Sequence, residues 1–239
     1  MLLAGCYRRV EIAPAPIRDG SPDALPDAPP DAPIDVPLDA VPTMFVQQNT
    51  AGSQLGTSIS VTLPMMPTTN HILLAIGGSQ NGANAPTGAV ASWQLVGRSL
   101  VSPTQYIYVG TPNGTGATVT LTTSNAGQIW LAVSEWNGIS ASNPTDASAG
   151  SGSVGVGSGA VDVKITTTSA PDLVVFAASS YGSVAAPPGT WAALSDAVAG
   201  SSVRQKTWYQ LVWAPGMQRV QTTFVSDYDA VLAALRTIP

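Results

Sequence analysis

Ile59-Ser60-Val61-Thr62-Leu63 and, about one hundred residues further on, Val161-Asp162-Val163-Lys164-Ile165 decide the fold class. Each puts an aliphatic side chain at every second position with a polar one between, the two-residue period of a strand with one wet face. Val119 and Leu121 repeat the pattern among Thr118, Thr120 and Thr122. Residues 71–76 and 173–178 are more continuously apolar, as strands central in a sandwich are. Gly, Pro, Asn and Ser bound these runs, and no stretch repeats apolar residues at helical spacing over three turns.

The runs also match one another in order and spacing. Asn70-His71-Ile72-Leu73-Leu74-Ala75 aligns with Pro171-Asp172-Leu173-Val174-Val175-Phe176, and Trp93 falls near Trp191. Tyr106-Ile107-Tyr108-Val109 aligns with Trp208-Tyr209-Gln210-Leu211, and residues 129–136 with 230–236. Such self-similarity marks an internal duplication. The expected fold is all-β: a jelly-roll-like two-sheet β-sandwich over residues 43–239, with repeat halves at about 43–140 and 150–239. Two tandem sandwiches also fit. The Gly/Ser stretch 137–159 has no tether-like composition, and the run 44–48 has no evident counterpart opening the second half. Both points favour one domain whose first strand closes against its last.

Composition narrows the function. Hydrophobic residues make up 44% of the chain and charged ones 10%, with 23 Gly and 20 Pro. The net charge of −5 is concentrated at the N-terminus. From residue 43 onward, Arg98, Lys164, Arg204, Lys206, Arg219 and Arg236 face Glu135 and six aspartates, so the folded part is nearly neutral. A nucleic-acid partner is therefore not expected, because it requires a concentrated basic footprint. The single cysteine, Cys6, leaves no internal disulfide and no cysteine-based zinc site.

Ahead of the domain the chain reads Ser-Pro-Asp-Ala, Leu-Pro-Asp-Ala, Pro-Pro-Asp-Ala, Pro-Ile-Asp-Val, Pro-Leu-Asp-Ala from Ser21. Asp19, Asp23, Asp27, Asp31, Asp35 and Asp39 recur every fourth residue, which would align them on a helix, but proline at this density forbids one. A disordered Pro/Asp-rich tether over residues 7–42 is expected, extended as polyproline II and stiffened by like charges. At about 3.1 Å per residue it would span on the order of 90 Å. Isolated carboxylates on an open chain offer too few ligands for calcium.

Leu3-Ala4-Gly5-Cys6 resembles the lipobox of bacterial lipoproteins, a short apolar and small-residue run ending in cysteine. The resemblance implies cleavage before Cys6 and lipidation of that cysteine, residues 1–6 being the remnant of the signal. It further implies an outer-membrane or cell-surface location, with the membrane as a partner through the lipid. The β domain resembles a loosely defined class of exported bacterial β-sandwich modules, on pattern rather than on a diagnostic motif. That likeness covers about residues 43–239 and implies an extracytoplasmic role without transferring any catalytic residue.

The chemistry-bearing residues are few. His71, the only histidine, opens an apolar strand and reads as an edge or turn residue rather than a catalytic base, and no Gly-x-Ser-x-Gly elbow occurs. Glu135, the domain's only glutamate, shares a strand face with Leu131 and Val133; a buried carboxylate there would have a raised pKa and serve as an acid. A glycosidase needs two such groups. Asp227 and Asp229, beside Tyr228, read as turn residues before a structural calcium site. No catalytic residue, metal or cofactor is expected.

The aromatics carry the leading expectation. With Ile107 and Val109 inward, Tyr106, Tyr108 and, through the repeat, Trp208 point outward, where flat rings can stack on the apolar face of a sugar. The expected function is a non-catalytic, lipid-anchored surface module that binds glycan or another surface macromolecule through Tyr106, Tyr108 and Trp208. The alternatives are a structural subunit of an envelope assembly and a glycoside hydrolase using Glu135.

Overall fold

A computed structural model describes residues 43–153, 159–200 and 203–238, within one compact unit, Asp39–Pro239. The tether, the remnant signal and Cys6 lie outside the described residues. The first half contains β1 (Met44–Thr62), β2 (Ile72–Ser79), β3 (Gln94–Arg98), β4 (Thr104–Gly110) and β5 (Thr118–Asn137). The second contains β6 (Thr145–Ser153), β7 (Gly159–Thr167), β8 (Asp172–Ser180) and β9 (Ala192–Ala199), then β10 (Val203–Val212), β11 (Gly216–Phe224) and β12 (Tyr228–Arg236). The described residues are all-β, as the alternating runs predict.

The duplication reappears in the strand order. One sheet runs β1-β5-β2-β4-β3 and the other β6-β12-β8-β10-β9, while β7 and β11 pair as a separate ribbon. The long strands explain the difference in count. β1 pairs with β5 along its whole length, through register shifts around Ser53, Gly56 and Ser58. Its first part corresponds to β6 on β12, and its last part, Ile59 opposite Leu121 and Val61 opposite Val119, to β7 on β11. Thus each half is a five-stranded sheet with a two-stranded ribbon folded over it.

The layers follow from which faces are apolar. Ile72, Leu74, Ile76, Ile107 and Trp136 of the first sheet meet Leu173, Val175, Val231, Ala233 and Leu235 of the second in one central core. On the outer face of the first sheet, Leu73, Ala75, Leu131 and Val133 pack under Ile59, Val61, Val119 and Leu121. Val174, Phe176, Leu232 and Ala234 pack under Val161, Val163, Val220 and Phe224 in the same way. β2 and β8 are therefore buried on both faces, which accounts for their unbroken apolar runs. The halves form one body, sheet against sheet. Trp136 and Tyr209 meet edge to face across the middle, with centroids 4.9 Å apart.

Two details of the sequence reading change. The first strand pairs with β5 of its own half, Met44 opposite Asn137, and not with the last strand, which lies between β6 and β8. The counterpart of residues 44–48 also exists: it is β6, inside the stretch read as a connection. Thr-Asp-Ala-Ser-Ala-Gly-Ser-Gly-Ser carries no large apolar residue because β6 is an edge strand pressed against the other sheet. A Cβ on Gly150 would overlap the Arg98 carbonyl of β3, and at the related seam a Cβ on Gly52 of β1 would overlap the Val198 carbonyl of β9.

Candidate functional site

The outward aromatic platform does not form. Tyr106 and Tyr108 stack on the outer face of β4 with centroids 6.0 Å apart, but Tyr108 is only 7% exposed and belongs to the outer core of the first half. Trp208 is 5% exposed and stacks on Phe176 at 5.8 Å in the outer core of the second half. Ile107 and Val109 do face the centre, as expected. The opposite face is nevertheless not solvent, because ribbon and loops cover it. Register also corrects the alignment by two residues: Tyr106 lies opposite Gly77 and Lys206 opposite Ala178, so Lys206 is the counterpart of Tyr106, and Trp208 of Tyr108.

Glu135 is fully buried at the end of the first outer core. The amide of Gln47 on the neighbouring β1 donates to its Oε2 at 2.5 Å, while the Thr68 backbone N–H (2.9 Å) and His71 Nδ1 (2.6 Å) donate to Oε1. Burial alone would raise its pKa. The hydrogen bonds from Gln47, Thr68 and His71, with the His71 charge, outweigh burial and leave it lowered, opposite to the expectation for an acid catalyst. Both oxygens are occupied by groups that hold the β1–β2 loop in place. That is a structural anchor, and it explains why His71 sits where the strand begins.

The second half holds a related anchor built from other residues. The loop before β8 donates the Thr168 N–H and hydroxyl to Asp146 of β6, and Arg236 Nη2 reaches Asp146 Oδ1 at 2.7 Å. Burial pushes the Asp146 pKa up, but the Thr168 and Ser169 donors prevail and hold it at about 2. Asp172, the counterpart of His71, goes the other way. Burial first, then the adjacent Asp146 charge, push it to about 6. Its Oδ2 receives no donor, so as a neutral carboxyl it gives a proton towards Asp146.

Asp229 is not a turn residue. It lies in β12, wholly buried, where Ser179 Oγ donates to it at 2.7 Å and burial drives its pKa well up. Asp227 precedes the strand, and its carbonyl accepts from the Tyr181 N–H. Among the described residues no three His, Cys, Asp or Glu side chains gather as a metal site.

The structure instead brings together a cleft that sequence reasoning missed. Where β1 meets the edge strand β9, a cavity of about 350 Å³ is lined by Gln48, Leu194, Ser195, Asp196, Lys206 and Trp208. Ser195 pairs with Thr207, and Asp196 with Lys206, across the β9–β10 ladder, which a bulge interrupts beside Trp208. Gln48 Oε1 and Ser195 Oγ are buried without a hydrogen-bond partner. Of the three predicted aromatics, Trp208 alone borders this cleft; Tyr106 lines a smaller one of about 230 Å³ with Arg98 and Thr104. No signal in the linear pattern marks Gln48 or Asp196, because only the packing of β1 against β9, strands of different sheets, brings them together.

No protein-family profile, no curated protein and no solved structure matches the chain.

Proposed function

We propose that this chain is a non-catalytic surface module, carried on its Pro/Asp tether from a lipidated Cys6, whose sandwich binds glycan or another surface macromolecule in the cleft between β1 and β9. The observation that carries the reading is a cavity of about 350 Å³ along the edge strand β9, lined by Gln48, Ser195, Asp196, Lys206 and Trp208, in which Gln48 Oε1 and Ser195 Oγ are buried without a partner. Buried polar atoms are normally paired, and a pocket of a few hundred Å³ with a few convergent polar groups is the ordinary form of a ligand site. The glycosidase alternative loses support, since Gln47, Thr68 and His71 already occupy both Glu135 oxygens.

Retention of the full chain on a panel of immobilised polysaccharides and glycans tests the reading. Selective retention that falls at least tenfold in Ser195→Tyr, which fills the cleft, supports it. Absence of retention on every glycan and every envelope polymer tried overturns it.

A further inference from the structure

We infer that the β1–β9 cleft takes an uncharged pyranose unit, one per chain, an inference that rests on the binding reading above. The cleft contains one carboxylate and one ammonium, Asp196 and Lys206, opposite each other on β9 and β10. Among the described residues no ion pair joins them, so both heads remain free for a ligand. An anionic ligand would be drawn by Lys206 but repelled by Asp196, and a cationic one the reverse. A hydroxyl escapes this conflict. It donates to the carboxylate and accepts from the ammonium, and adjacent hydroxyls on a ring satisfy both at once.

The unpaired atoms agree with that chemistry. Gln48 Oε1 only accepts, and Ser195 Oγ both donates and accepts, so the cleft asks for a ligand with several groups of each kind. Leu194 and Trp208, both among the lining residues, supply apolar contact for the carbon skeleton. At about 350 Å³ the volume sits at the small end of ligand pockets, suited to one or two rings rather than a long chain.

Duplication explains why there is a single site. The counterparts of Asp196 and Lys206 in the first half are Arg98 and Tyr106, and the Tyr106 ring stacks on Tyr108. There the carboxylate and the ammonium are both replaced, so the donor and acceptor pair exists in the second half only.

Calorimetric titration of the full chain with the methyl pyranosides of glucose, galactose and mannose, and with glucuronic acid and glucosamine, tests the inference. Expected are one site per chain for at least one neutral glycoside and binding at least tenfold weaker for both charged sugars. Asp196→Asn should weaken the neutral sugar about tenfold and narrow its margin over glucuronic acid, with unchanged thermal unfolding because Asp196 is exposed. Glucuronic acid or glucosamine bound as tightly as the best neutral glycoside overturns the neutral-ligand inference and leaves the wider reading standing. Failure of all five sugars to bind also overturns it, and polysaccharide retention then decides the wider reading independently.

Discussion

Glu135 Oε1 lies 2.6 Å from His71 Nδ1, so the domain's only glutamate, buried, and the chain's only histidine, partly exposed, form a pair that fastens the β1–β2 loop. The folded Glu135 has a pKa below the ordinary glutamate value of 4.5, so its stabilisation is present above 4.5 and is lost as pH falls through the folded value. Glu135→Gln should cost about 1–3 kcal/mol at pH 7 by leaving donors unsatisfied, and should flatten the loss of stability below about pH 4.5. Denaturant melts at pH 3 to 7 check both effects.

Asp172 predicts the opposite pH trend. Its pKa rises from 3.8 to about 6 on folding, so its favourable contribution is complete below about 3.8 and is lost as pH rises through about 6. Asp172→Asn keeps a donor facing Asp146 and removes the buried charge. The variant should be more stable than the parent at pH 7, on the order of 1–2 kcal/mol after screening, with the gap closing by pH 4. An equal gap at both pH values would contradict the assignment.

The close approach at the seams makes two glycines sensitive. Gly52→Ala and Gly150→Ala press a methyl group into the Val198 and Arg98 carbonyls, each at a cost of about 3 kcal/mol. Gly116→Ala, with nothing within 4 Å of the added carbon, should be near neutral. Thermal melts of the three variants rank them.

Since both halves furnish the central core and Trp136 meets Tyr209 across it, neither sheet can bury its inner face alone. The sandwich should unfold in one calorimetric transition. Trp136→Ala should lower that single transition by about 3–5 kcal/mol rather than uncouple the halves.

Much of this architecture is legible in the chain. Ile59 to Leu63 and Val161 to Ile165 alternate because each ribbon has one wet face, and β2 and β8 are continuously apolar because two cores enclose them. β6 is illegible because an edge strand pressed against another sheet is selected for smallness, and Gly-Ser-Gly reads as a linker. Alternation points the rings of Tyr108 and Trp208 away from the centre but does not report what covers that second face, which here is ribbon and loop. Asp146 and Arg236 sit at distant points of the chain, as do Gln48 and Ser195. Only tertiary pairing brings such residues together.

The proposal that the β1–β9 seam is the ligand site is tested most directly by two-dimensional NMR of the isotope-labelled full chain titrated with the best-retained glycan. The largest shifts should fall on the Gln48 side-chain amide, on Ser195, Asp196 and Lys206, and on the Trp208 indole, while Tyr106 and Tyr108 stay still. Shifts centred on Arg98, Thr104 and Tyr106 around the smaller cleft, or scattered without a focus, would contradict it.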